Sequence, residues 1–138
     1  MRIELGDWAT LRPWAEPIRT RVFVDEQKVP ADMEIDAWDP QCVHAIAFDG
    51  QGAATGTGRL LPDGHIGRMA VLPTARGAGV GSALLTALME EARRRGHQAV
   101  ALSAQTHAVA FYLRHGYAVC SGEYLDAGIP HVDMERPL

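Results

Sequence analysis

The sequence is short of cysteine, aromatic residues, long apolar runs and clustered positive charge. Two cysteines, Cys42 and Cys120, in 138 residues supply no disulfide framework. Cys42-Val43-His44 has no second pair of ligands nearby, so no metal site is expected. Two buried thiols in a reducing compartment are the expectation instead. No stretch approaches the roughly 18 apolar residues of a membrane span. The opening MRIELGDWAT carries acids and has no apolar signal core, so the expected location is cytoplasmic, away from membranes. Aromatic residues make up 7%. Thirteen basic residues are spread along the chain against seventeen acidic ones, and the net charge is −4. No basic arm or stripe is left to bind nucleic acid. The one basic run, Arg93-Arg94-Arg95, follows Glu90-Glu91 at a predicted helix end. There it offsets the helix dipole and can pair Glu90 with Arg94 and Glu91 with Arg95.

What is present fits one α/β domain over residues 1–138, with 47% hydrophobic residues for its core. Residues 2–5 alternate as a first strand. Residues 14–27 have a helical apolar face, with Pro17 suited to a first turn. A segment carrying Asp32, Glu34, Asp36 and Asp39 then reads as loop. Residues 43–48 and 53–61 form a predicted hairpin around Asp49-Gly50, in which Gly56 and Gly58 mark a bulge or a weak strand. A strand over 65–72 follows, and the strongest helix, 82–95, is closed by Gly96. A buried strand at 99–103, a helix at 108–115 and two late strands, 117–124 and 132–136, complete the order. The pattern predicts a mixed sheet, an antiparallel meander followed by a parallel crossover, with helices on its faces.

Between strand and strong helix lies TARGAGVGSALL, residues 74–85. Glycines before a helix N-terminus let an anion approach unpaired backbone N–H groups. A nucleotide-hydrolase loop would need Gly-Lys-Ser/Thr, and the chain has Gly-Ser-Ala. A dinucleotide loop would need G-x-G-x-x-G and an acid ending the next strand, which instead ends Ser103-Ala104-Gln105. Arg76-Gly77-Ala78-Gly79-Val80-Gly81 matches Arg/Gln-x-x-Gly-x-Gly/Ala, and Ala108, Phe111-Tyr112 and Gly116-Tyr117 match A-x-x-F-Y-x-x-x-G-Y/F. With Met69-Ala70-Val71 and Pro73 before the loop, these stretches resemble the central motifs of the GNAT family of N-acetyltransferases. FVDEQKVP and GIPHVDM resemble a small bacterial single-domain subgroup.

The resemblance implies a GNAT-like fold, in which the parallel pair of strands splays apart. It implies acetyl-CoA as acyl donor, no metal, and direct transfer of acetyl to an amine of a small molecule. Arg76, Gly77, Ala78, Gly79, Val80, Gly81 and Ser82 are then expected to hold the pyrophosphate. Backbone amides of Met69, Ala70 and Val71 would polarise the thioester, provided that they are unpaired. Gln105 stands where many relatives carry Asn toward the pantetheine arm. Tyr112 is the expected general acid for the leaving thiolate. Among Glu26, His44, Glu123 and His131, Glu26 is the first choice of general base and His131 the second. The acidic segment could attract a cationic amine or be a solvated charge run, and Trp38 could wall the pocket or pack on the sheet. Two other readings share the loop: an acetyl-CoA-binding regulatory module without turnover, and a protein or peptide N-acetyltransferase. The resemblance admits a homodimer, with no patch in the sequence to specify one.

Overall fold

A computed structural model describes residues 1–138. Strand β1 (Arg2–Gly6) leads into α1 (Trp8–Arg19), which continues without a break through a wider π-helical stretch, Thr20–Glu26. After the short α2 (Ala31–Glu34) come β2 (Val43–Phe48), β3 (Ala54–Leu60) and β4 (Ile66–Val71). Helix α3 (Val80–Arg94), β5 (Ala99–Gln105) and α4 (Val109–Arg114) follow. The chain closes with β6 (Ala118–Val119), β7 (Tyr124–Asp126) and β8 (Ile129–Pro137).

The strands form two four-stranded sheets. The first is the antiparallel meander β1-β2-β3-β4; in the second, β8 is flanked by β5 and β6 and also pairs β7. Parallel β4 and β5 join them at one bridge, His65 with Ala101, where the Ala101 N–H donates to the Gly64 carbonyl at 3.2 Å. Beyond that point the two strands diverge. The predicted meander and splayed pair are thus present, in two sheets joined at one corner.

Helices cover both faces. Ile46 and Phe48 of β2 pack with Trp8, Leu11 and Ala15 of α1, while Ala45 and Ala47 pack with Leu84, Leu85 and Leu88 of α3. That two-sided cover makes β2 apolar almost throughout. The second cluster runs on to Val100, Leu102 and Met134, so one core spans both sheets. Each buried large aliphatic side chain contributes roughly 1.5–3 kcal/mol.

Three expectations are corrected. The first helix starts at Trp8, capped by Asp7, whose carboxylate accepts from the Thr10 N–H at 2.8 Å. Pro13 and Pro17 lie inside it. Pro17 has no N–H to give the Pro13 carbonyl, and packing of Leu11, Ala15 and Ile18 outweighs that loss. Cys120 is exposed, whereas Cys42 is buried as expected. Glu91, not Glu90, gathers the basic run, pairing with Arg94 and, at 2.7 Å, with Arg95.

Gly56 and Gly58 are explained by close approach. A Cβ on Gly56 would stand 2.9 Å from Leu84 Cδ1 and from Val80 Cγ1; one on Gly58 would stand 2.9 Å from Leu88 Cδ1 and overlap the Met69 sulfur. Gly58 also faces a bulge. The register pairs Thr57 with Ala70 but Arg59 with Gly67, so Gly58 opposes both Arg68 and Met69. Arg68 takes the bulge position at φ 49°, a left-handed conformation that costs a non-glycine residue about 1–3 kcal/mol.

Candidate active site

The divergence of β4 from β5 opens a cleft of about 880 Å3. Most of the expected site residues line it: Met69, Ala70, Val71, Arg76, Gly81, Gln105, Tyr112, Glu26 and His131. Met69, Ala70 and Val71 have β3 on one side and no strand on the other, because β5 has left the sheet by this level.

At the far end of β4 the glycine loop rises into α3. Gly77 and Gly79 sit at φ 84° and 82°, and no atom lies within 4 Å of a Cβ built on either. A ligand can therefore come against the bare backbone. The first helical bond runs from the Ala83 N–H to the Gly79 carbonyl, which leaves the N–H groups of Val80, Gly81 and Ser82 without a helical acceptor. Ala78 continues the same exposed turn. The Ser82 hydroxyl lies 2.9 Å from His115 Nε2 rather than capping the helix.

Arg76 is already engaged. Its Nε donates to the Val71 carbonyl at 3.0 Å, and its two terminal nitrogens donate to the two oxygens of Glu26 at 2.8 and 2.7 Å. The hydrogen bond from Arg76 holds the Glu26 carboxyl below its ordinary value. The adjacent residue repeats the pattern: the Gln27 and Gln105 side-chain amides bond reciprocally at 3.2 and 2.9 Å. His107 Nε2 lies 2.6 Å from the same Gln105 oxygen. Glu26 and Gln27 reach across because the helix widens before them, with the Gln27 N–H donating five residues back to Val22 at 3.1 Å.

Tyr112 is buried on α4 against the rings of Phe111 and Tyr117, at centroid distances of 5.1 and 5.7 Å. Burial pushes its phenol up to about 12, so it carries its proton at neutral pH. His131 opposes Gln105 in the β5–β8 register. Its Nδ1 lies 2.6 Å from the Ile129 carbonyl, an acceptor only, so Nδ1 bears a proton and the lone pair of the neutral ring is on Nε2. The other two candidate bases stand outside the cleft. His44 is buried beside Trp8, with Nε2 2.9 Å from the Asp39 carbonyl, and Glu123 is exposed.

The acidic segment is neither a solvated run nor a free anionic patch. Arg19 donates to Glu34 at 2.5 Å and to Asp39 at 2.8 and 3.0 Å. Arg59 donates to Asp36 at 2.8 and 3.0 Å and to Asp39 at 2.8 Å. Arg68 reaches the same segment and also lines the cleft. Trp38 is half exposed and away from the cleft. Sequence reasoning singled out neither Gln27 nor Arg68, since their partners lie 78 and 32–35 residues away and no motif spacing signals them.

This geometry agrees with the comparisons. The family model for the acetyltransferase (GNAT) domain matches residues 16–138. YjcF of Bacillus subtilis (strain 168), an uncharacterized N-acetyltransferase, is 45% identical over 123 residues, covering 86% of this chain and 87% of its own. An acyl-CoA N-acyltransferase from Pseudomonas aeruginosa superimposes with a TM-score of 0.86 at 32% identity, covering 99% of both chains. Escherichia coli ElaA superimposes at 0.88 with 26% identity, again over 99% of both. A model match over most of the chain, with a relative 45% identical across 86% of it, makes the protein a member of the GNAT family of acetyltransferases.

Proposed function

We propose that the protein transfers acetyl from acetyl-CoA to the amine of a small molecule by direct attack, with Tyr112 as general acid and His131 as general base. The observation that carries this reading is the unpaired edge of β4 at Met69–Val71, continuous with the open helix N-terminus at Gly79–Ser82. Those two features suit the two polar parts of the donor. The N–H groups of Val80, Gly81 and Ser82 suit the pyrophosphate, with Arg76 beside them. A strand amide at Met69–Val71 suits the thioester oxygen as it gains charge. Gln105 suits the amides of the pantetheine arm between them.

In the transfer the amine nitrogen bonds to the thioester carbon, and the carbon–sulfur bond then breaks. The leaving thiolate takes the Tyr112 phenolic proton, and the ammonium proton passes to His131 Nε2, directly or through water. His131 is preferred to Glu26 because its free nitrogen has no competing partner, whereas both Glu26 oxygens lie in the Arg76 fork. His131 pairs with Gln105 in the β5–β8 register and lines the same cleft as Met69, which suits a base facing the thioester.

Thiol release from acetyl-CoA with a panel of small amines tests the reading. Tyr112→Phe should lower kcat by about 100-fold or more while CoA still binds. His131→Gln should lower kcat by about 100-fold or more, again with CoA binding retained. Full activity in both variants would overturn the roles. Turnover of peptides with none of small amines would replace the acceptor class, and bound CoA with no thiol release on any acceptor would leave a regulatory module.

A further inference from the structure

We propose that the acceptor amine also carries a carboxylate, and that Arg68 binds it. The inference rests on the acetyl-transfer reading and names its substrate class. Arg68 immediately precedes Met69, on the side of the thioester site away from the glycine loop. An acceptor approaching the thioester from that side meets the guanidinium first.

The bulge puts the side chain there, and its bonds leave it incompletely used. Arg68 Nε donates to the Glu34 carbonyl at 3.0 Å. Nη2 donates to the Met33 carbonyl at 3.4 Å and to Asp36 at 3.3 Å. Nη1 makes no hydrogen bond and is not sealed from solvent, and the residue lines the cleft. The acids around it are claimed by stronger partners, Glu34 and Asp39 by Arg19 and Asp36 by the Arg59 fork. Burial, with Arg59 and Arg19 close by, disfavours the charge on Arg68, which an incoming anion would relieve. The free Nη1 carries two N–H donors, which can hold a carboxylate by charge-assisted hydrogen bonds.

The cleft offers much less to an acceptor with a second positive charge. Glu26 is held by Arg76 and Glu34 is buried against Arg19, which leaves the exposed Asp126 as its free carboxylate. A polyamine would face Arg68 with little to offset the repulsion. An amino acid would present its amine to the thioester and its carboxylate to Nη1 of Arg68, so that one anchor fixes the nucleophile's approach.

Matched acceptors test this: a set of α-amino acids, their carboxamides and their decarboxylated amines, each with acetyl-CoA and thiol release as the readout. The acid should exceed its amide at least tenfold in kcat/KM. Arg68→Gln should raise KM for the acid about tenfold and leave KM for the amide within twofold. Arg68→Lys, which keeps the charge and disturbs the fold least, should retain part of the preference. Amides or plain amines used as well as acids would overturn the proposal, as would an Arg68→Gln loss equal for acid and amide. Calorimetric titration of acetyl-CoA separates the layers. If the donor binds and no acid outperforms its amide, the role of Arg68 falls alone; if the donor does not bind, the transferase reading falls with it.

Discussion

Arg76 holds Glu26 in a two-bond fork, at 2.8 and 2.7 Å, between residues 50 apart in the chain. The guanidinium expected to meet the donor's pyrophosphate is thereby matched to a carboxylate of the protein itself. Both side chains are more than a third exposed, so the pair is worth only about 0–1 kcal/mol. A pyrophosphate carries more charge and can displace Glu26. Glu26→Gln should therefore tighten CoA binding roughly two- to fivefold at low salt, with the gain shrinking as salt rises. Acetyl-pantetheine, which lacks the pyrophosphate, should show no gain. Weaker CoA binding in the variant would mean that Glu26 aids the donor rather than competing with it.

The glycine loop predicts opposite signs for stability and binding. Gly81 lies in the first turn of α3, and a Cβ there meets Phe111 no closer than 3.5 Å. Gly81→Asp adds a side chain with better helix propensity and a negative charge at the positive end of the dipole. The thermal midpoint should hold or rise, while CoA affinity falls more than tenfold from repulsion of the phosphates. Unchanged affinity by calorimetric titration would remove the phosphate assignment.

The buried network around the acidic segment should be costly to open. Arg19 is 1% exposed, and Glu34 and Asp39 beside it are 3% and 0% exposed. Arg19→Met takes the hydrogen-bonded partner from Glu34 and leaves Asp39 with Arg59 alone, and should cost about 3–5 kcal/mol in urea unfolding. Arg2→Ala, which breaks the exposed pair with Glu4, should stay within about 0.5 kcal/mol. Equal effects from the two would contradict the network's role.

The same network sets an acid limit. Asp36 is held down to about 2, first by the Arg59 hydrogen bonds and against its own burial. Its folded value lies below the unfolded one, so the stabilisation is complete above about pH 4 and is lost as pH falls toward 2. With the side chain 31% exposed, the effect is about 1–2 kcal/mol. Asp36→Asn should flatten the fall in urea midpoint across that window, and a variant as acid-sensitive as the parent would refute it.

The sequence displayed local structure and concealed what folding brings together. The apolar stripe of Leu84, Leu85 and Leu88 announced α3, and Gly56 and Gly58 pointed to a bulge, which the register places opposite Gly58. The helix start was hidden because Pro13 and Pro17 speak against a helix locally, while the packing of Trp8 and Leu11 that overrides them is tertiary. The open glycine loop before α3 could be read because bare backbone is what glycine spacing records. The acidic segment could not, since Arg19, Arg59 and Arg68 reach it from 15 to 35 residues away, and composition shows charges without their partners.

The single bridge between the sheets has a consequence for the life of the protein. Every strand N–H left without a neighbour past His65–Ala101 forgoes a bond that a continuous sheet would have made, so the empty fold is less stable than its strand content suggests. A donor that fills the slit binds only the folded chain and shifts the unfolding equilibrium by mass action, by about 2.7 kcal/mol at 100 times its Kd. The abundance of the enzyme is then tied to the supply of acyl donor, and a destabilised variant would survive longest where CoA is plentiful.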